Sequence, residues 1–408
     1  MTERVDVLVV GGGPVGACVG ALLAHSRRAM PLSVVVLEPH RPTAPEPGAP
    51  ADARVVALSR ATERILGAAG AWARIVGPRL SPYERMRVWH ESVAPDSPGV
   101  LVFDAAEAGE PNLGYIVENR LLQVALLDAF AEAGGRIEAA QLRSLRILED
   151  HVHADTTAGT FEAKLVVGAD GKRSAVREAV GLSADVTDYG QTAITATVAT
   201  ERPHCRTAWQ RFLRTGTLAF LPLADGTSSI VWSADHELAS ALLAAAESDF
   251  TRELDRASDH VLGSTSLVSE RLSFPLRKVG AQRYVTHRCA LVGDAAHVVH
   301  PLAGQGVNLG LLDAAALADI VLAGLRERED PGALRLLRRY ERWRKSEVAL
   351  MSTAIDAFDR FLAHGTGPFS RLAQRGLGWV NRSQELKRLF IGRALGVTGE
   401  LPSAARAV

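Results

Sequence analysis

Three glycine-bearing stretches of this 408-residue chain have the residue types and spacing to hold a nucleotide cofactor. The first is Gly11-Gly12-Gly13-Pro14-Val15-Gly16, which puts Gly11, Gly13 and Gly16 in a GxGxxG directly after the apolar run Val5–Val10. Gly11 permits a tight turn, Gly13 lets backbone approach a pyrophosphate, and Gly16 lets a helix pack on a strand. Pro14 opens that helix, whose free N–H groups and dipole favour an anion. Glu38 ends a second strand, where its carboxylate can accept from ribose hydroxyls and disfavours a 2′-phosphate. The second stretch, Gly168-Ala169-Asp170-Gly171, also follows an apolar run, and Asp170 can either contact a cofactor or cap the next helix. The third, Leu291-Val292-Gly293-Asp294-Ala295-Ala296-His297, continues to Pro301, Gly304, Gly306, Val307 and Asn308. Asp294 can reach a polyol such as a ribityl chain, and the helix from Val307 points its N–H groups at an electron-rich ring. A nicotinamide enzyme has no need of this third element, so the three together predict FAD.

These stretches need a scaffold. Val5–Val10, Pro14–Ala24 and Ser33–Leu37 predict strand, helix and strand, a βαβ unit. Pro39, Pro42, Pro45, Pro47 and Pro50 then impose a loop, and a helical pattern returns over 61–75. Residues 78–114 break into short pieces, Asn119–Ala133 predicts a helix, and Leu142–Val167 predicts hairpin strands. Residues 190–275 alternate apolar and polar in short runs, as in an antiparallel sheet. One strand and long helices follow. The fold class is therefore α/β, a nucleotide-binding domain interrupted by a β-rich insertion.

Forty-six basic residues balance 46 acidic ones, so no basic field points to nucleic acid. Cys18, Cys205 and Cys289 lie far apart without metal or redox spacing and read as reduced cytoplasmic thiols. No signal peptide is expected, and no apolar stretch is expected to reach the roughly 18–20 residues that span a bilayer.

The three motifs together resemble the flavin monooxygenases related to p-hydroxybenzoate hydroxylase. Asp52–Ser59, Ile116–Leu122 and the stretch from Gly293 through Asp313 narrow the resemblance to the UbiH/UbiI/UbiF/VisC group of ubiquinone-biosynthesis hydroxylases. Trp209–Leu213 and Ala219–Leu223 fit the same group's substrate sheet, although Arg214 and Thr217 stand where it usually has prolines. The resemblance implies a Rossmann-like FAD-binding domain over 1–75, 115–182 and 277–352, substrate-domain segments over 76–114 and 183–276, and a helical region over 353–408. It also implies FAD contacts from Arg54 and Arg120. From sequence alone both arginines read as surface residues.

The implied reaction uses NAD(P)H and O2 to hydroxylate a prenylated phenol through a flavin C4a-hydroperoxide. His300 is a weak candidate base, and His297 is expected to pack beneath its loop. Alternatives of other kinds are a prenyl-chain reductase and a non-catalytic flavoprotein scaffold of a biosynthetic complex. The WxWxIP segment usual in flavin halogenases is missing, because no tryptophan here has another two residues away. Ubiquinone-biosynthesis proteins are the expected partners, and a homo-oligomer is left open. A basic amphipathic segment, Arg382–Leu395, offers a peripheral contact with the inner membrane, a partner or the chain's own core.

Overall fold

The computed structural model describes residues 2–26, 32–46, 48–299, 305–362 and 399–407. His300, Pro301 and Gly304, and the whole of the basic segment 382–395, lie outside the described residues.

Thr2–Val10 and Val34–Leu37 are the two β-branched strands of the βαβ unit, joined through the helix Pro14–His25. They pair in parallel, with Val10 opposite Leu37, so the glycine turn and Glu38 emerge at the same sheet end. Gly159–Gly168 pairs in parallel on the other side of the first strand, with Gly168 opposite Val10. Cys289–Leu291 then pairs in parallel with Gly159–Gly168, Leu291 opposite Gly168. The three sequence motifs thus leave three neighbouring strands at one sheet end, the crevice where open α/β sheets bind ligands. The strands are apolar along their length because helices cover them; Val7, Leu8, Val9, Leu165, Val166 and Val167 are fully buried.

The second sheet has nine strands, ordered His297–Val298, Leu272–Ala281, Ala184–Thr200, Ser228–Asp235, Gly216–Pro222, Thr207–Leu213, Arg85–His90 and Leu101–Asp104, with Thr265–Leu267 pairing beside the long third strand. One face of this sheet packs Ile194, Phe220, Ile230 and Trp232 against two helices, His236–Ala244 and Glu247–Ala257. These helices interrupt the alternating region where only strands were expected. Each has its own start signal: Asp235 caps the first by accepting from Leu238 N, and Glu247 and Asp249 lie in the first turn of the second. A small sheet of Val55–Leu58, Ser81–Tyr83 and Gly114–Glu118 bridges the two large ones.

The expected single helix over 61–75 is two, Arg60–Ala68 and Trp72–Ile75, parted at Gly70, whose φ of +72° ends the first. The bilayer-length expectation also needs correction. Gly306–Arg326, with a mean hydropathy of 1.6, is long and apolar enough to cross a membrane by length and composition. It is instead a core helix here: Leu311, Ala314, Ala316, Leu317 and Val321 pack in the main core, and its Asp313 is fully buried.

Candidate functional site

The glycine turn divides its labour. A Cβ on Gly11 would sit 2.5 Å from Ala169 O, and its φ is +103°. A Cβ on Gly16 would fall 2.0 Å from Gly11 O. Both glycines therefore serve the packing of the chain on itself. Gly13 differs, because a Cβ there meets nothing within 4 Å and the residue lines the central cavity. That free space is a cradle that a side chain would fill. Gly12, to which the motif gives no role, donates its N–H to Glu38 Oε2 at 3.0 Å. Glu38 Oε1 accepts from His40 N at 3.0 Å, and Gln123 Nε2 donates to Gly12 O at 3.0 Å.

The two arginines are set by a buried ion pair that the sequence does not announce. Glu118, 3% exposed, ends the strand Gly114–Glu118 and takes Arg79 Nη2 at 2.7 Å. It also accepts Asp52 N at 2.7 Å; burial pushes its carboxyl up, but Arg79, the Asp52 N–H and the Arg120 charge together hold it below the usual range. Arg79 Nη1 donates to Ala49 O, so the proline-rich loop is anchored from both sides. Asn119 N donates to Arg54 O, bringing Arg54 beside the helix Asn119–Glu132 that carries Arg120. Arg54 lines the cavity and its guanidinium has no ion pair among the described residues. Arg120 lies 3.9 Å from Asp52, and its buried Nε has no hydrogen-bond partner there. Lys172 and Arg173 line the same cavity, adding cations that the motifs alone do not single out.

Asp170 caps a helix. Its Oδ1 accepts Ser174 Oγ at 2.5 Å and its Oδ2 accepts Val176 N at 3.0 Å, although the residue also borders the cavity. Asp294 opens on the cavity instead, and the protein around it pushes its carboxyl above the ordinary range by desolvation. The loop carrying it is pinned from below. Buried Asp313 accepts Gly293 N at 3.0 Å, His297 Nε2 at 2.5 Å and Arg344 Nε at 2.7 Å. His297 thus packs beneath the loop as expected, while Asp313 and Arg344 are positioning residues that the motif does not reveal. Gly306 and Val307 reach the cavity at the start of Gln305–Arg326. The Asn308 side chain turns away: Oδ1 accepts from Ser59 N and Thr62 Oγ1, and Nδ2 donates to Ala57 O. It staples the long helix to the strand Val55–Leu58 and its following helix.

Gly13, Arg54, Asp170, Lys172, Arg173, Asp294, Gly306 and Val307 border one cavity of about 800 Å3, within the roughly 300–1,000 Å3 range of small-molecule sites. Gly13, Arg54, Asp170, Asp294 and Gly306 lie on its Rossmann side. The inner face of the nine-stranded sheet, with Tyr83, Met86, Phe103 and Leu113, makes the rest. Burial pushes the Tyr83 phenol up to about 12, so it stays a neutral hydrogen-bond donor in ordinary buffers. The donor set fits a flavin dinucleotide. Gly13 leaves room for a pyrophosphate, Arg54 supplies a cation without an ion pair among the described residues, Arg120 a buried Nε without a hydrogen-bond partner among them, and Asp294 offers a carboxylate to hydroxyls. The apolar half suits an aromatic ring.

The sequence profile of the family described as FAD binding domain matches residues 4–353. Ubiquinone hydroxylase UbiL of Rhodospirillum rubrum is 41% identical over 394 residues, covering 96% of this chain and 89% of that protein. The 3-demethoxyubiquinol 3-hydroxylase of Escherichia coli is 33% identical over 97% of this chain and 99% of that protein. Human ubiquinone biosynthesis monooxygenase COQ6, a mitochondrial protein, is 32% identical over 95% of this chain and 92% of its own length. Among solved structures, p-nitrophenol 4-monooxygenase PnpA from Pseudomonas putida superposes with a TM-score of 0.75 at 20% identity, covering 96% of this chain and 98% of its own. That likeness shows the fold.

Proposed function

The chain belongs to the FAD-binding-domain family and, within it, to the ubiquinone-biosynthesis hydroxylases, and from that membership we propose that it hydroxylates the ring of a prenylated phenol. It is an FAD-dependent monooxygenase that uses NAD(P)H and O2. Residues 1–75, 115–182 and 277–352 carry the cofactor on this reading, and 76–114 with 183–276 carry the substrate.

One observation supports the reading above the others. A single cavity joins a dinucleotide cradle at Gly13 and Asp294 to an apolar chamber at Met86, Phe103 and Leu113. Bound FAD would supply the electron transfer and the oxygen activation. The chain's own residues would do the rest. Gly11, Gly13, Pro14 and Gly16 shape the pyrophosphate turn, Glu38 faces the adenosine side, and Arg54 and Arg120 bind charge. Asp294 takes ribityl hydroxyls, with Asp313, His297 and Arg344 holding its loop. Gly306 and Val307 form the edge that meets the ring, and Asn308 and Asp170 hold their elements in place. The enclosing sheet excludes water from the reacting ring. Tyr83 is one neutral donor within reach of the chamber, and no described side chain is assigned as a base.

Peripheral contact with the inner membrane, and association with other ubiquinone-biosynthesis proteins, belong to this reading as ways to reach an insoluble substrate. The test is O2 uptake and NAD(P)H oxidation by the purified yellow protein with a geranylated phenol. One oxygen atom from O2 should appear in the product. Reduction of the prenyl chain with no oxygen incorporated would instead identify a reductase.

A further inference from the structure

Alternate residues of a strand face opposite sides of its sheet, so Ile194 and Thr195 cannot share a face. Ile194, Phe220, Ile230 and Trp232 face the two covering helices. Thr195, Thr217, Ser229 and Ser233 therefore face the other way, and all four line the cavity. A core sheet face would ordinarily be apolar, yet this one presents hydroxyls on three adjacent strands.

Two of those hydroxyls are left without protein partners. Thr195 is 6% exposed and Ser229 is 1% exposed, and neither hydroxyl has a hydrogen-bond partner among the described residues. Thr197, directly opposite Ser229 in the ladder, has a buried unpartnered hydroxyl as well. Thr217 Oγ1 and Ser233 Oγ, paired across the next ladder, meet at 3.5 Å. A buried hydroxyl left without a partner costs about 1–3 kcal/mol, so a ligand oxygen here recovers free energy that the folded chain forgoes.

The strand order gives the hydroxyls a direction. On one side lies Leu272–Ala281, which pairs with His297–Val298, continuous with the Asp294 loop. On the other side the cavity-facing row that runs across from Ser229 becomes apolar: Leu221, Ala208, then Met86 and Phe103 on the last two strands, with Leu113 packed beside them and Gln210 the polar neighbour of that row. From the Ser229 strand to the Phe103 strand is four strand spacings, on the order of 19 Å, longer than a phenol ring.

We propose that Thr195 and Ser229, with Thr217 and Ser233 beside them, form a hydrogen-bonding subsite for the oxygen substituents of the substrate ring. The apolar path past Leu221 to Met86 and Phe103 then carries the prenyl chain. This deepens the hydroxylase reading and rests on it. It orients the substrate with its oxygenated ring toward the Asp294 side of the cavity and its tail toward the sheet edge at Leu101–Asp104.

The test uses the FAD-loaded enzyme and equilibrium titration of 2-geranyl-6-methoxyphenol against 2-geranylphenol, which lacks one ring oxygen. Wild-type protein should bind the methoxy compound about tenfold more tightly, the worth of one net hydrogen bond. The pair Thr195→Val and Ser229→Ala should bring that ratio below about twofold, and Thr195→Ser in place of Thr195→Val should restore much of it. Phe103→Ala should weaken both geranyl compounds and leave the ratio intact. Equal ratios in wild type and the double variant would overturn the proposal, the hydroxyls then serving only water. Because binding is read without turnover, a normal ratio with no hydroxylated product would strike the hydroxylase reading alone.

Discussion

Asp313 Oδ2 and His297 Nε2 meet at 2.5 Å where Asp313 is fully buried and His297 is 5% exposed. Arg344 Nε closes on the other carboxylate oxygen at 2.7 Å, so the carboxylate links the cofactor-side loop to the long C-terminal helix Leu334–Leu362. Burial alone would raise the Asp313 carboxyl, but His297 and Arg344 outweigh it and hold it below its ordinary value of 3.8.

Asp313→Asn should cost about 3–5 kcal/mol of stability at neutral pH, because it leaves Arg344 buried without its countercharge. A carboxyl lowered in the folded state contributes stability above its unfolded pKa and loses it as pH falls through the folded one. The gap between wild type and variant in urea unfolding should therefore narrow below about pH 3.8. A gap that stays constant from neutral to acid would refute this account of Asp313.

Gly13→Val and Gly16→Val should fail in different ways. A Cβ at Gly13 meets nothing within 4 Å, so the apo fold should keep its melting temperature while bound FAD is lost. At Gly16 the added carbon falls on Gly11 O, so soluble yield and melting temperature should both collapse. Normal flavin content in Gly13→Val would show that the turn is not a pyrophosphate cradle.

Asp294→Ala should weaken FAD retention by about 1.5–3 kcal/mol, the range for a hydrogen bond to a charged group. Its carboxylate opens on the cavity, and the strand Cys289–Leu291 before it stays intact, so the fold should survive. Fluorescence titration of the apoprotein with FAD reads the change. Unaltered affinity would leave Asp294 outside the cofactor site.

Glu118→Gln tests action at one remove. Glu118 is not among the cavity-lining groups but anchors Arg79 and Asp52, and through them the loop that presents Arg54. Replacing it should destabilise the protein by a few kcal/mol, since a buried ion pair loses one member. FAD affinity should fall with it, and a double variant with Arg54→Ala should lose less than the sum of the single losses. Strict additivity would detach Glu118 from the positioning of Arg54.

The cofactor motifs are legible in the sequence because their chemistry is local. A turn at φ +103° against Ala169 O admits glycine and little else, so Gly11 announces itself in a string of letters. The same holds for the apolar runs that end at Glu38, Gly168 and Gly293. His297 beneath its loop is also within reach, since it sits three residues past Asp294 in a tight turn. Asp313 and Arg344, or Arg79 and Glu118, are not, because nothing local marks two distant charges as partners until a core encloses them. The helices His236–Ala244 and Glu247–Ala257 are hidden by short apolar runs that suit either period.

Asn308 shows the boundary most clearly. By sequence it stands within a glycine-rich loop and reads as a cofactor residue; in the fold its amide is committed to Ala57, Ser59 and Thr62. Thr195 shows the reverse. Alternation alone says that Thr195 and Ile194 point apart, but which face meets the helices and which the cavity is decided by the strands packed around them. The sequence by itself therefore determined the cofactor class and the family, through turns and spacings that act over a few residues. Tertiary structure alone decided which polar groups are spent on the chain and which are left facing the substrate, because hydrogen-bond satisfaction is settled only when distant segments close.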